Sequence, residues 1–218
     1  APRSGKSIRI ETNWCCPKED AMIKAAVERA YDAANLAYSD VWDWRRQPHG
    51  WTATEDTTDQ RIKTYFWNGW MAADIPDEQK LQLLNVVWKS RNALADIGFS
   101  CGGNGGSCAK GGDAWSWTDN GVKGGDVLLC SSFFYTLGAR SRTEAVLHEV
   151  THSWADTTDA GAGYELMYIR SKAGVPQYKP YKIRGGKILP VPGGYRTMGT
   201  GDKLKHADTY SGFMMLWD

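Results

Sequence analysis

The chain has 218 residues, with 26 Lys plus Arg against 25 Asp plus Glu, for a formal charge of +1. Hydrophobic residues make up 42% and charged residues 23%, which argues against disorder. The charge balance argues against a nucleic-acid or membrane-surface protein, and no run of about 18 apolar residues exists to span a bilayer. The length suits one domain with a real core, and 11 Trp, 10 Tyr and 24 Gly supply rigid contact surface and flexible loops. The chain opens at Ala1 without Met and so reads as a processed product or an excised piece. Cys15 and Cys16 are adjacent, and Cys101, Cys108 and Cys130 follow, with no close C-x-x-C pair for a zinc ribbon. Two disulfides with one thiol left over is the expected arrangement, which implies an oxidising compartment and a secreted protein; five buried thiols in a cytosolic protein is the alternative.

In chain order, Met22, Ile23, Ala26, Val27, Ala30, Ala33, Ala34 and Ala37 have helical spacing, so a helix is predicted over 19–38, packed closely against another helix through its alanines. A second helix is predicted over 58–71. A third starts after Asp74, with Pro76 in its first turn, and runs through Leu81, Leu84, Val87, Trp88 and Leu94. Glycine dominates 101–125. Within this region and just beyond it, 114–117 and 127–130 read as two short strands joined by the Asn120-Gly121 turn. Residues 172–203, with four prolines and an excess of Lys and Arg, read as a basic surface loop or hairpin. A final helix is predicted over about 203–216.

Chemistry concentrates in Ser141-Arg-Thr-Glu-Ala-Val-Leu-His148-Glu149-Val-Thr-His152. Ser141 and Glu144 have capping-box spacing, which predicts a helix start there. On that helix His148 and His152 lie one turn apart on one face and can converge on one ion, while Glu149 projects about 100° away. This is the H-E-x-x-H division of labour of a zinc hydrolase: two imidazoles hold the metal and the carboxylate moves a proton on the attacking water. The competing reading is a helix with two solvated histidines. A third ligand is still needed. Neither His49 nor His206 has the spacing of a metzincin's third histidine, which leaves Asp156, four residues after His152, and Asp159, just past the expected helix end.

Thr157-Thr158-Asp159, with Gly163 four residues on, resembles the G-T-x-D-x-x-Y-G element that follows H-E-x-x-H in the aspzincins, the family of deuterolysins and fungal peptidyl-Lys metalloendopeptidases. His206-Ala207-Asp208-Thr209-Tyr210 resembles a later N-A-D segment of that family. Cys15 or Cys16, Tyr65-Phe66-Trp67-Asn68-Gly69, Cys101, Cys108 and Val127-Leu128-Leu129-Cys130 extend the similarity over nearly the whole chain except 172–203. The resemblance implies an α+β, mainly helical, zincin-like fold with a small antiparallel sheet and an active-site H-E-x-x-H helix. It implies one catalytic zinc ion on His148, His152 and Asp159, with Glu149 as general base and then acid. It also implies disulfides from Cys15 or Cys16 to Cys101 and from Cys108 to Cys130. The expected organisation is a single domain over 1–218: a helical N-terminal region over 1–100, sheet and zinc site 101–171, a basic insertion 172–203 and a C-terminal helix 204–217.

The sequence departs from the family at two points. The tyrosine expected three residues after the ligand Asp is replaced by Ala162, which leaves Tyr164, two residues later, as candidate for stabilising the transition state, against a packing role. In Lys-specific members an Asp and a Glu three residues later bind the substrate lysine; Asp208 matches the first and Ser211 replaces the second. Asp208, the candidate substrate-binding residue, needs a cation or donors if partly buried: a substrate ammonium, a zinc-binding histidine, or a structural Arg or Lys. The expected function is therefore a secreted, monomeric zinc endopeptidase acting on polypeptides, with a preference for Lys beside the scissile bond weakened by Ser211. The alternatives are a zinc-scavenging protein of the same fold without proteolysis, which Glu149 argues against, and a metallopeptidase toxin or effector domain released from a larger chain.

Overall fold

In a computed structural model of the chain, residues 8–46, 57–66, 75–116, 126–158, 165–167, 177–179 and 200–218 are described. Strand β1 (Arg9–Asn13) leads into the 30-residue helix α1 (Pro17–Arg46). The alanines explain how α1 is used. Ala26, Ala30, Ala33, Ala34 and Ala37 are buried, and their short side chains let α1 lie close to α3 (Asp77–Leu94) and α5 (Ala139–Ala155). Helix α2 (Thr57–Phe66) covers the end of this bundle, where Trp44 Nε1 donates to buried Asp59 at 3.0 Å.

Four strands form a mixed sheet in the order β1, β2 (Asp96–Gly103), β4 (Val127–Cys130), β3 (Ala114–Trp115). β2 runs parallel to both β1 and β4, and only the β3–β4 pair is antiparallel. The expectation of an antiparallel sheet thus holds for the 114–115 and 127–130 strands and fails for the rest. The physical reason is the crossover: β1 and β2 are joined through three helices, which returns the chain in the same direction. The Asn120-Gly121 turn lies outside the described residues. Phe99, Val127 and Leu129 point from the sheet into one apolar core shared with α1, α3 and α5.

Two disulfides tie this sheet. Cys15–Cys101 fastens the start of α1 to β2, Cys108–Cys130 fastens the glycine-rich loop to the end of β4, and Cys16 is free and exposed. At Gly98 a Cβ would lie 2.0 Å from Asp126 Oδ1, so a larger residue there would have to displace a carboxylate whose Oδ2 accepts from Asn13 and Ser100.

Beyond β4 come the single turn α4 (Ser131–Tyr135) and then α5. The Ser141–Glu144 capping box is not used. α5 begins at Ala139 with Gly138 as its N-cap, and Arg142 N already donates to Gly138 O at 3.0 Å, so Ser141 lies inside the helix. The hairpin strands β5 (Glu165–Met167) and β6 (Gln177–Lys179) pair antiparallel. The predicted last helix is broken into α6 (Thr200–Lys203) and α7 (Ala207–Met214), with a 3-10 turn over Met215–Trp217. The break falls at His206, whose extended backbone (φ −96°, ψ 123°) pairs with Thr158 instead of continuing a helix. α7 then packs Tyr210 and Phe213 against Phe66 and Tyr65 of α2, and Asp218 closes the chain on Arg29 and Arg140.

Cys15 and Cys101 are 86 residues apart, so their bond removes much freedom from the unfolded chain. The double variant C15S/C101S is expected to lose about 2–5 kcal/mol of stability in urea unfolding, with β1 the first element to exchange its amide protons.

Candidate metal centre

The sequence of α5 places His148 and His152 on successive turns of one face, with ring centroids 4.6 Å apart and planes at 83°. Their Nε2 atoms approach to 3.0 Å. What the other ring nitrogens do decides the meaning of that contact. His152 Nδ1 is 2.8 Å from the carbonyl oxygen of Thr157, which can only accept, so Nδ1 carries the proton. His148 Nδ1 is 2.6 Å from Asp208 Oδ1, a carboxylate that fixes the same tautomer. Both Nε2 lone pairs are therefore turned toward one point.

Two lone pairs at 3.0 Å repel unless a proton or a cation lies between them. Zinc–nitrogen bonds of about 2.0–2.1 Å at a tetrahedral angle put two ligand nitrogens about 3.3 Å apart, within a few tenths of an ångström of the observed separation. Two imidazole nitrogens are donors of the kind zinc takes. Backing each ring by an acceptor on its far nitrogen is how proteins hold metal-binding histidines in place. Glu149, between the two histidines in sequence, is buried.

α5 stops at Ala155. Asp156 adopts a left-handed conformation (φ 60°), its N–H donates to Thr151 O, and its side chain is exposed. The residue one turn beyond His152 is thereby taken out of the helical register. Asp159 and Tyr164, and with them Ala162 and His49, lie outside the described residues. Among the described residues no group of three or more His, Cys, Asp or Glu side chains is arranged to hold an ion.

After Asp156 the chain is fastened to the approach to α7. Thr158 N donates to Lys205 O at 2.7 Å and Ala207 N donates to Thr158 O at 3.2 Å. This clip brings the Thr157 carbonyl and the Asp208 carboxylate to opposite sides of the histidine pair. Of the three partners considered for Asp208, the structure shows a histidine, His148. His206, fully buried, has Nε2 4.0 Å from the second oxygen of Asp208. Ser211, where the resemblance leads one to look for a Glu, is buried and donates to the Asp208 carbonyl at 3.2 Å. Sequence reasoning passes over Thr157 as a partner because a backbone carbonyl leaves no mark in the residue pattern.

Glu144, one turn before His148, stands in the sequence only as half of a capping box, yet it belongs to this centre. Burial is the main reason its carboxyl is pushed up to about 7, and the charge of Asp208 adds to this against smaller opposing effects of Arg140 and His148. The folded chain thus keeps this proton at pH values where the unfolded chain has lost it. The associated stability is complete below pH 4.5 and falls as pH rises through about 7. In metal-depleted protein, E144Q is expected to match the wild type within about 0.5 kcal/mol at about pH 4.5 and to exceed it by roughly 2–3 kcal/mol at about pH 8.5, by urea unfolding at both pH values.

No protein-family model matches the chain, and no curated protein matches it in sequence. Among solved structures, the fold is similar to that of a zinc peptidase from Grifola frondosa, with a TM-score of 0.53 and 16% identity over 92% of this chain and 96% of that one. At that identity the likeness establishes a similar fold over nearly the full length of both proteins, and in this chain that fold is mainly helical with a small mixed sheet.

Proposed function

We propose that the chain is a zinc-dependent endopeptidase. The observation that carries this reading is the pair of Nε2 atoms 3.0 Å apart, each aimed by an acceptor on the opposite ring nitrogen. The shared fold with a zinc peptidase supports it. His148 and His152 would hold the metal, with Asp159, two residues after Thr157, as third ligand. When bound, zinc supplies a Lewis acid and lowers the pKa of a water.

The remaining chemistry belongs to the chain. Glu149 accepts the proton of the attacking water and delivers it to the departing amine. Asp208 acts as a positioning residue: it holds His148 by Nδ1 and leaves Nε2 for the metal, a role favoured over direct contact with a substrate lysine because Oδ1 is engaged by the ring. Tyr164 would donate to the oxyanion in place of the tyrosine replaced by Ala162. Two disulfides suit an oxidising, extracellular setting, and among the described residues no helix is long and apolar enough to cross a membrane.

Casein digestion and metal content measured on the same samples test this reading. E149Q is expected to retain one zinc and to lose roughly 10²–10⁴-fold in kcat/KM. D159A is expected to lose the metal, while D156A keeps it. Undiminished proteolysis by E149Q would exclude the mechanism, and zinc bound without any proteolysis by the wild type would favour the scavenging alternative.

A further inference from the structure

We propose that the hydroxyls of Thr151 and Thr157 act together as positioning groups for His152, locking the carbonyl that aims its ring; their importance for metal binding rests on the zinc reading above. The Thr157 hydroxyl donates to Thr151 Oγ1 at 2.9 Å, and the Thr151 hydroxyl donates to the carbonyl of His148 at 2.8 Å. Both side chains are buried, Thr151 completely. The same Thr157 presents its carbonyl to His152 Nδ1 at 2.8 Å, and its N–H donates to Thr151 O at 3.3 Å. A continuous chain of hydrogen bonds therefore runs from the His148 carbonyl through two hydroxyls to residue 157, and on through its carbonyl to the His152 ring.

This chain of bonds has a specific job. The helix ends at Ala155 and Asp156 reverses the chain, so Thr157 is the first residue after the reversal. A carbonyl so close to such a turn can rotate its peptide plane away from the ring. Thr158, clipped to Lys205 and Ala207, restrains the far side of that peptide. The near side is restrained by the hydroxyl pair. Misplacing the carbonyl releases the Nδ1 proton, and the ring can then adopt the other tautomer with its proton on the nitrogen meant for the metal.

The chemistry predicts an asymmetry between the two positions. In T157V the Thr151 hydroxyl keeps its acceptor on His148 and loses only an incoming donor. In T151V the Thr157 hydroxyl is left buried without its acceptor, the costlier defect. The double variant T151V/T157V leaves neither group stranded.

Two measurements on T151V, T157V, the double variant and the serine variants T151S and T157S test the proposal. The first is the histidine tautomer in metal-depleted protein at about pH 8, read from ¹⁵N–¹H correlations. Wild type and both serine variants are expected to show His152 protonated at Nδ1, and the valine variants a mixture. The second is zinc affinity by chelator competition. It should fall roughly 10–100-fold in each valine variant, further in T151V than in T157V and no further in the double variant, with the serine variants within about threefold of wild type. Unchanged tautomer and affinity in the valine variants, with the far-UV spectrum preserved, overturns the proposal. Losses that multiply in the double variant do so as well, because independent sites would behave that way. Failure of the wild type to bind zinc sinks the peptidase reading instead, and the tautomer measurement still decides the role of the hydroxyls.

Discussion

Repulsion between two imidazole lone pairs organises this end of the molecule. A neutral histidine can relieve such a contact by exchanging its proton between ring nitrogens, and here both are denied that exchange. Asp208 holds the proton of His148 on Nδ1 and the Thr157 carbonyl does the same for His152. With both escapes closed, the point between the Nε2 atoms attracts positive charge. A divalent cation would satisfy it with good geometry, because it could draw on both nitrogens at once. The arrangement supports metal binding because of these committed outer nitrogens; the spacing of two histidines on a helix would not be enough.

Most of the fold serves to bring two outer groups to one helix. Thr157 follows α5 directly, whereas Asp208 is 60 residues after His148 and reaches it only because the chain returns. That return is secured by backbone hydrogen bonds between Thr158 and 205–207, and by the aromatic contacts that press α7 onto α2. Helix breakage at 204–206 is an element of the same device. A continuous helix there would have its amides and carbonyls satisfied internally and could not offer Lys205 O and Ala207 N to Thr158. The irregular backbone beside His206 thus positions the carboxylate that orients His148.

Helical periodicity makes α1, α2 and α3 legible in the sequence, because long amphipathic segments repeat their signal over several turns. The alanine stripe of α1 even foretells its close packing. The sheet is harder to read. β1 is five residues long and its pairing depends on β2, which starts 83 positions after the end of β1; no local pattern encodes a parallel partner at that distance. β2 itself carries Gly98, Gly102 and Gly103, which look like loop residues until the bulge and the approach of Asp126 are seen. At the candidate site the pair His148 and His152 is plain, since one turn of helix determines it. Asp208 can be picked out, but the sequence does not choose its partner among the three candidates. Thr157 stands in the motif only as a letter, while the group that matters is its carbonyl. Ser141 misleads for the opposite reason: a good capping sequence lies inside a helix whose start is set by Gly138 and the turn after α4.

The carboxyl groups around the histidines place an electrostatic demand on this end of the fold. Glu144 is destabilised as an anion first by burial and then by Asp208, and the partial relief from Arg140 and His148 is not enough to return its carboxyl to the ordinary range. Asp208 must nevertheless stay where it is to hold His148. The pair therefore places negative charge beside the imidazole lone pairs in partly buried surroundings, an unfavourable arrangement for a metal-free protein. A dication at the Nε2 atoms would offset this charge: it would be attracted by the lone pairs, by Asp208 through the His148 ring, and by Glu144 across one turn of helix. The same groups that weaken the metal-free fold at high pH would become the electrostatic complement of such an ion, so that its binding would be coupled to folding through them.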